Sequence, residues 1–311
     1  MLAIYPRILP GHAGQAPVIA HLMGGLGNQM FQYATGRALA LRLGVPLKLD
    51  ISWFASIPKE CTERPYMLDA FSGICAAFAT EREVDDLVYA PRGLLGRLLR
   101  RPRRHTASYV VEPYFAHWKG FEQLTAPVYI SGYWQNEIYF KAVADAIRQD
   151  FAFPPLPAGA AEEMADHINA TNNAVAVHIR RGDYESNPAI KRVHGLCSVA
   201  YYQKALACLA EHNAAQLILF LFSDDPVWVR NHFDACGHRT RIVDFPAHYD
   251  APWHDMHLMS LCKHHVVANS SFSWWGAWMS VRRGLVCAPR RWFAEETKKD
   301  YTPAPTSWMV I

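Results

Sequence analysis

The stretch A-V-A-V-H-I-R-R-G-D-Y, Ala174 to Tyr184, decides the fold. Its first six residues are a nearly unbroken apolar run, and a strand reads that way only when both of its faces are buried. Three more such runs follow, at 217–222, 266–268 and 285–288, with helical segments predicted between them at 199–211, 226–233 and 272–281. Strands of this type alternating with helices predict a doubly wound α/β sheet.

Working back toward the N-terminus, a second unit of the same kind appears. Residues 17–22 predict a short strand, and Gly24-Gly25-Leu26-Gly27 follows as a turn suited to glycine. A helix is then expected, with Asn28 as N-cap, Phe31, Ala34, Ala38 and Leu41 on one face, and Gly44 and Pro46 at its end. Residues 47–50 resume as a strand and complete a βαβ unit. Residues 52–127 show poor periodicity and frequent aromatics, which predicts long loops, and 128–133 predict another strand. Pro154, Pro155 and Pro157 form the best linker candidate, so two domains are expected, at 1–155 and 156–311. A chain of 311 residues is long enough for both cores.

Composition narrows the function classes. The chain is 51% hydrophobic and 19% charged, with a formal charge of +3, which gives no reason to expect a nucleic-acid partner. No apolar run reaches the roughly 20 residues that cross a bilayer, and no leader pattern is visible, so a cytoplasmic protein is expected. Seven scattered cysteines with no C-x-x-C pair read as reduced core residues.

In an open parallel sheet, ligands bind beyond the carboxyl ends of the strands. Three motifs fall there: His178-Ile-Arg-Arg-Gly-Asp-Tyr184, Ser223-Asp224-Asp225-Pro226, and Asn269-Ser270-Ser271-Phe272-Ser273-Trp274-Trp275-Gly276. Helix N-termini, serine hydroxyls and the planar forks of Arg180 and Arg181 are the donors that a diphosphate requires, and neighbouring aspartates can accept from ribose or base. Each piece also has a plain structural reading. Asn269, Ser270 and Asp225 are good helix caps, and Trp274, Trp275 and Trp278 suit a core. Arg-Gly-Asp is a string that chance supplies often.

Several chemistries are disfavoured. No D-x-D triplet is present, so a metal-chelating nucleotide-sugar site has no support and no metal or other cofactor is expected. His254, His257, His264 and His265 cluster in sequence without a zinc-ligand pattern. Gly25-Leu26-Gly27 fails as a dinucleotide fingerprint because Met30 stands at the third glycine position.

Three segments together resemble glycosyltransferase family 11, the α-1,2-fucosyltransferases: G-G-L-G-N-Q-M-F-Q-Y at Gly24 to Tyr33, H-I-R-R-G-D-Y at His178 to Tyr184, and A-N-S-S-F-S-W-W-G-A-W at Ala268 to Trp278. Phe222 to Pro226 and Gly132 to Phe140 are also similar to family segments, and the likeness runs from about residue 20 to 293. The family tends to carry Asn where His265 stands.

The resemblance implies a GT-B-like fold, two Rossmann-like domains with doubly wound parallel sheets facing a cleft. GDP-fucose is then expected on the second domain, and a galactose-terminated glycan on the first. It implies an inverting transfer of L-fucose to a galactose 2-hydroxyl without a metal. The H-x-R-R motif is shared with α-1,6- and protein O-fucosyltransferases, whose first arginine contacts the donor diphosphate, and this assigns that role to Arg180. The expected donor contacts are His178, Arg181, Ser223, Asp224, Asn269, Ser270, Ser271 and Phe272. Asp183 ranks first as base for the acceptor hydroxyl, ahead of Glu185, Glu137 and His178. Asn28, Gln29, Trp134, Gln135 and Glu137 are expected to meet the acceptor by hydrogen bonds and stacking, on a loop shaped by Gly25 and Gly27.

Residues 92–104 stand apart. If helical, Leu94, Leu95, Leu98 and Leu99 face one way and Arg97, Arg100, Arg101 and Arg104 the other. Such a helix can rest on an anionic membrane, placing the enzyme on the inner face of the cytoplasmic membrane near lipid-linked acceptors such as the O-antigen of lipopolysaccharide. Its rival is a solvated surface insertion, favoured by Gly93, Gly96 and Pro102. Two alternatives to the main reading are a non-catalytic nucleotide-sugar-binding protein of the same fold and a fucosyltransferase of different linkage. The sequence assigns no oligomeric state.

Overall fold

The computed structural model describes residues 16–58, 61–91, 104–213, 216–244, 251–298 and 301–311. The basic segment at 92–103 therefore lies outside the described residues. The chain divides into two compact units, Met1–Lys59 with Glu63–Ala152, and Glu60–Thr62 with Phe153–Ile311. Each is an α/β unit built on one all-parallel sheet. Among the described residues no helix is long and apolar enough to cross a membrane.

The first unit runs β1 (Val18–His21), α1 (Leu26–Leu43), β2 (Leu47–Asp50), β3 (Ala77–Phe78), α2 (Glu81–Val88), β4 (Tyr109–Val111), β5 (Val128–Ser131) and α3 (Ala144–Asp150), with several short 3-10 turns. Its sheet order is β3-β2-β1-β5-β4. Strand order reverses between β1 and β5, which makes their carboxyl ends the switch point of this sheet. Helix α1 can lie close over that sheet because position 36 is glycine: a Cβ there would meet Ala20 Cβ at 2.8 Å and Leu47 Cδ1 at 3.0 Å. The helix ends as expected on Gly44, left-handed at φ 67°, whose N–H reaches Ala40 O and Leu41 O. Its start differs from the sequence expectation. Gly25 is the N-cap, so Asn28 lies in the first turn instead of capping it. Leu41, assigned to the buried face, is 41% exposed.

The second unit runs α4 (Ala160–Ala170), β6 (Ala174–Ile179), α5 (Gly182–Ser186), α6 (Pro188–His194), α7 (Val199–Glu211), β7 (Ile218–Ser223), α8 (Pro226–His232), β8 (Arg239–Val243), α9 (Trp253–Leu261), β9 (His264–Val266), α10 (Ser271–Trp278), β10 (Val286–Ala288) and β11 (Met309–Val310). Its sheet order is β11-β10-β9-β6-β7-β8, so the switch point lies between β9 and β6.

The apolar run of β6 is explained by what covers it. Val175, Val177 and Ile179 pack with Tyr201, Ala205, Leu206 and Leu209 of α7. Ala174 and Ala176 pack on the other face, with Phe220, Phe222, Leu258 and Met259. Alternate residues of one strand thus serve two cores, and full burial of each larger aliphatic side chain stabilises by about 1.5–3 kcal/mol. Trp274 and Trp275 are buried in α10 and Trp278 nearly so. All seven cysteines are free; Cys262 and Cys287 are core residues as expected, whereas Cys61 and Cys236 are exposed.

Candidate functional site

The carboxyl end of β6 brings together most of the residues singled out in the second unit. Asp224, just beyond β7, holds the Arg-Arg-Gly turn with both carboxylate oxygens: Oδ2 pairs with Arg180 Nη1 at 2.9 Å and Oδ1 accepts from the Arg181 backbone N–H at 2.8 Å. This bridge requires glycine at 182, because a Cβ there would lie 2.9 Å from Asp224 Cγ and closer still to Oδ2. The Arg180 guanidinium also stacks 5.1 Å from the Tyr184 ring centroid. Arg181 turns away, stacked 3.9 Å from the Trp228 ring centroid and paired with Glu185 at 3.2 Å. The two arginines are therefore not equivalent. Asp183 lies in α5, but its side chain is outside the described residues.

Serine and asparagine roles separate in the same way. Ser223 Oγ donates to Ile179 O at 2.7 Å and accepts from Asp225 N at 3.0 Å, tying the ends of β6 and β7 together. Asp225 caps α8 by accepting from Trp228 N. Asn269 is buried, and its amide donates to His194 O at 2.9 Å and Trp292 O at 3.3 Å. Those side chains shape the loops. Ser270 caps α10 through Phe272 N, and Ser271 opens the helix at the β9 side of the switch point, across from Arg180 on the β6 side.

His178 is buried, with its carbonyl accepting from Tyr202 Oη at 3.1 Å and its ring 5.8 Å from that of Phe272. Burial, with the nearby Arg180 charge adding to it, pushes its pKa down to about 3. A neutral imidazole of such low basicity is a poor proton acceptor at neutral pH, which counts against His178 as base.

One carboxylate of this edge was missed from the sequence. Asp255, in the first turn of α9 beyond the carboxyl end of β8, has its pKa pushed up to about 7 by burial and, second, by Asp244. Asp244 itself pairs with Arg230. An aspartate in a first helical turn is so common that nothing in the sequence marks it.

The four clustered histidines do not converge on a metal. His265 bonds Met259 O through Nε2 at 3.0 Å, His264 Nδ1 accepts from Leu285 N at 3.0 Å, and His257 stacks on Phe153 at 4.7 Å. Among the described residues no group of three or more His, Cys, Asp or Glu is arranged to hold a metal ion.

In the first unit, the loops after β1 and β5 meet at the switch point. Gln135 Nε2 donates to Asn28 Oδ1 at 2.9 Å, joining two residues expected on the acceptor side. Gln29 is fully buried, donating to Gly24 O and Pro65 O and accepting from Met67 N, so it orders the glycine loop. Gln32, which the sequence reading passed over, bridges the same loops by accepting from Met23 N and donating to Gly132 O. Glu137 pairs with Lys141 at 3.6 Å. The stacking role expected of Trp134 is corrected: the ring is 1% exposed, enclosed by Phe121 and Tyr139 at 5.8 and 5.3 Å, and has no open face for a sugar.

Comparison with known proteins fits this geometry. A family model described as Glycosyl transferase family 11 matches residues 109–311. An alpha-1,2-colitosyltransferase of Escherichia coli is 35% identical, the alignment covering 94% of this chain and 98% of that protein. The O-antigen biosynthesis glycosyltransferase WbnK of Escherichia coli is 30% identical, covering 93% and 99%. Among solved structures, a FUT1 mutant of Arabidopsis thaliana in complex with GDP superposes with a TM-score of 0.51 at 11% identity, covering 97% of this chain and 78% of that one, a likeness of fold alone.

Proposed function

The chain belongs to glycosyltransferase family 11, a fucosyltransferase family with the GT-B fold, and from that premise we propose that it transfers L-fucose from GDP-fucose to the 2-hydroxyl of a terminal galactose, with inversion and without a metal. The observation that carries the reading is the Asp224 bridge, which presents Arg180 at the switch point opposite the first turn of α10.

As the acceptor oxygen attacks the anomeric carbon and the bond to the diphosphate breaks, negative charge gathers on the β-phosphate. Arg180 and the donors at Ser270 and Ser271 would stabilise that charge, the electrostatic contribution that usually dominates such transfers. His178 and Phe272 wall the same edge, Arg181 adds positive field, and Asp255, when ionised, suits the paired N–H donors of a guanine edge. On the acceptor side, Asn28, Gln135 and Glu137 are the residues proposed to meet the sugar, and Gly25, Gly27 and Gln29 to shape their loop.

A second donor is favoured by one finding, since the 35% identical relative is named for colitose, which is fucose lacking its 3-hydroxyl. The test is a donor competition in excess EDTA, with GDP-fucose and GDP-colitose offered to lactose and N-acetyllactosamine. Transfer from GDP-fucose despite chelator supports the proposal. Transfer from GDP-colitose alone moves the donor assignment to the 3-deoxy sugar, and donor binding without transfer makes the chain a binding protein.

A further inference from the structure

The switch point of the first sheet is itself bridged by two side chains that the sites above leave out. His21 ends β1 and Ser131 ends β5, and His21 Nδ1 lies 3.2 Å from Ser131 Oγ, so this hydrogen bond spans the gap at which the strand order reverses. Asp50 ends β2 in register with His21. Three neighbouring strands therefore finish in aspartate, histidine and serine along one edge, the edge at which an open parallel sheet takes its ligand.

The three side chains are held differently. Asp50 is buried and both its oxygens are occupied, Oδ2 accepting from Tyr129 Oη at 2.6 Å and Oδ1 from Ser52 N at 2.9 Å. His21 is half-buried, and its Nε2 has no hydrogen-bond partner among the described residues and is not shielded from solvent. The imidazole lies 6.0 Å from the Tyr129 ring, which stands in turn 5.7 Å from that of Tyr109. With Nδ1–H donating to Ser131 Oγ, the lone pair is on Nε2. A ring fixed through one nitrogen and open at the other is arranged to take a proton from a bound molecule.

We propose that His21 is the catalytic base for the acceptor, its Nε2 taking the proton of the attacking sugar hydroxyl while Ser131 holds the ring and the Asp50 carboxylate supports the imidazolium that forms. This rests on the transferase reading above. The hydroxyl oxygen bonds to the anomeric carbon, the bond from that carbon to the β-phosphate oxygen breaks with its electron pair leaving on GDP, and the hydroxyl proton ends on His21 Nε2.

Burial holds the His21 pKa below the ordinary histidine value, and the Asp50 charge opposes that shift. The ring is therefore neutral at pH 7, and the charge it gains in the reaction meets a carboxylate. His178 is the opposite case, because the Arg180 cation adds to the effect of burial there. Asp50 is the charge that acts on His21 among the described residues; the other titratable groups around it are the phenols of Tyr129 on β5 and Tyr109 on β4, and Lys48 of β2 and Glu83 of α2, which pair with each other. The sequence hid this residue because a histidine closing an apolar strand belongs to no motif and its bonding partner stands 110 positions away.

The test compares wild type with H21Q and D50N. Glutamine keeps a polar side chain that can still bond Ser131 but has no basicity near neutral pH. The expected result for H21Q is a fall in kcat of about 10²–10⁴, GDP affinity within twofold of wild type, and loss of the acidic limb that wild type shows below pH 6.5 in kcat/KM. D50N leaves the imidazole in place and removes the charge that favours its protonated form, so its acidic limb should move to lower pH while kcat falls. An H21Q protein with wild-type kcat and pH profile overturns the proposal. If H21Q does not fold, D50N decides, and an acidic limb unmoved from wild type overturns the His21–Asp50 assignment. Wild type that transfers from no GDP-sugar overturns the transferase reading itself, and that result is seen before any variant is compared.

Discussion

Replacing Asp224 by alanine separates the role of a positioning carboxylate from that of a merely stabilising one. The side chain makes two charge-assisted contacts, with Arg180 Nη1 at 2.9 Å and Arg181 N at 2.8 Å. Hydrogen bonds to charged groups contribute about 1.5–3 kcal/mol each, and partial exposure of the pair, 18% and 25% for the two side chains, sets the sum at the lower end, about 3 kcal/mol. For a unit of this size each kcal/mol moves Tm by about 2–4 °C, so a loss of about 6–12 °C is expected by calorimetry. Turnover should fall further than stability suggests, because a reacting group displaced by about 1 Å can cost 10²-fold. GDP affinity should stay within about tenfold, since both arginines remain cationic and long-range attraction survives. D224N keeps an acceptor for Arg181 N but gives up the ion pair, and should lose about half the stability and most of the turnover. G182A should reproduce the turnover loss from the other side by forcing the carboxylate aside. A D224A protein that melts lower yet keeps wild-type kcat would refute the positioning argument, because Arg180 would then be placed without its partner.

Three further outcomes follow from the same groups. Asp255 binds its proton more tightly folded than unfolded between about pH 4 and pH 7, so it lowers stability as pH rises through that window, and D255N should melt higher than wild type at pH 8 and about equally at pH 4. His178, His264 and His265 are all shifted below 6.5, to about 3, 4 and 4, so the unfolded chain takes up protons first and stability is lost as pH falls from about 6.5 toward 4; these three outnumber Asp255, and urea midpoints should drop between pH 7 and pH 5. Excess EDTA should leave the initial rate of transfer unchanged, and restoration of a chelator-abolished rate by added Mg²⁺ or Mn²⁺ would contradict the metal-free mechanism.

The parts of the fold that could be read from sequence were those in which one residue type answers one physical demand. Strand β6 and helix α7 appear at the bounds expected, because an unbroken apolar run needs cover on both faces and Ser198 caps a helix whose apolar residues recur at the right spacing. Strand β8 was passed over because R-T-R-I-V is polar, and its first three residues are exposed at the edge of the sheet. Helix α2 was passed over although Thr80 and Glu83 form a reciprocal capping box, since Glu81–Val88 is mostly charged and buries little. At the candidate site, Arg180 and Asp224 were legible as residues, but the bridge between them was not. It joins positions 44 apart through a gap that only glycine leaves open. Ser223 and Asn269 looked like ligand donors because hydroxyl and amide chemistry is the same whether the partner is a phosphate or a neighbouring carbonyl.

Transfer of fucose from GDP-fucose to the galactose 2-hydroxyl with inversion is read by following the anomeric proton during the reaction. Purified protein is mixed with GDP-fucose, in which the sugar is β-linked, and a galactose-terminated acceptor in EDTA, and the product is read by ¹H NMR. An α-fucosyl signal correlated to galactose C2 is the expected result. A β-linked product, a different linkage, or free fucose alone would contradict the account.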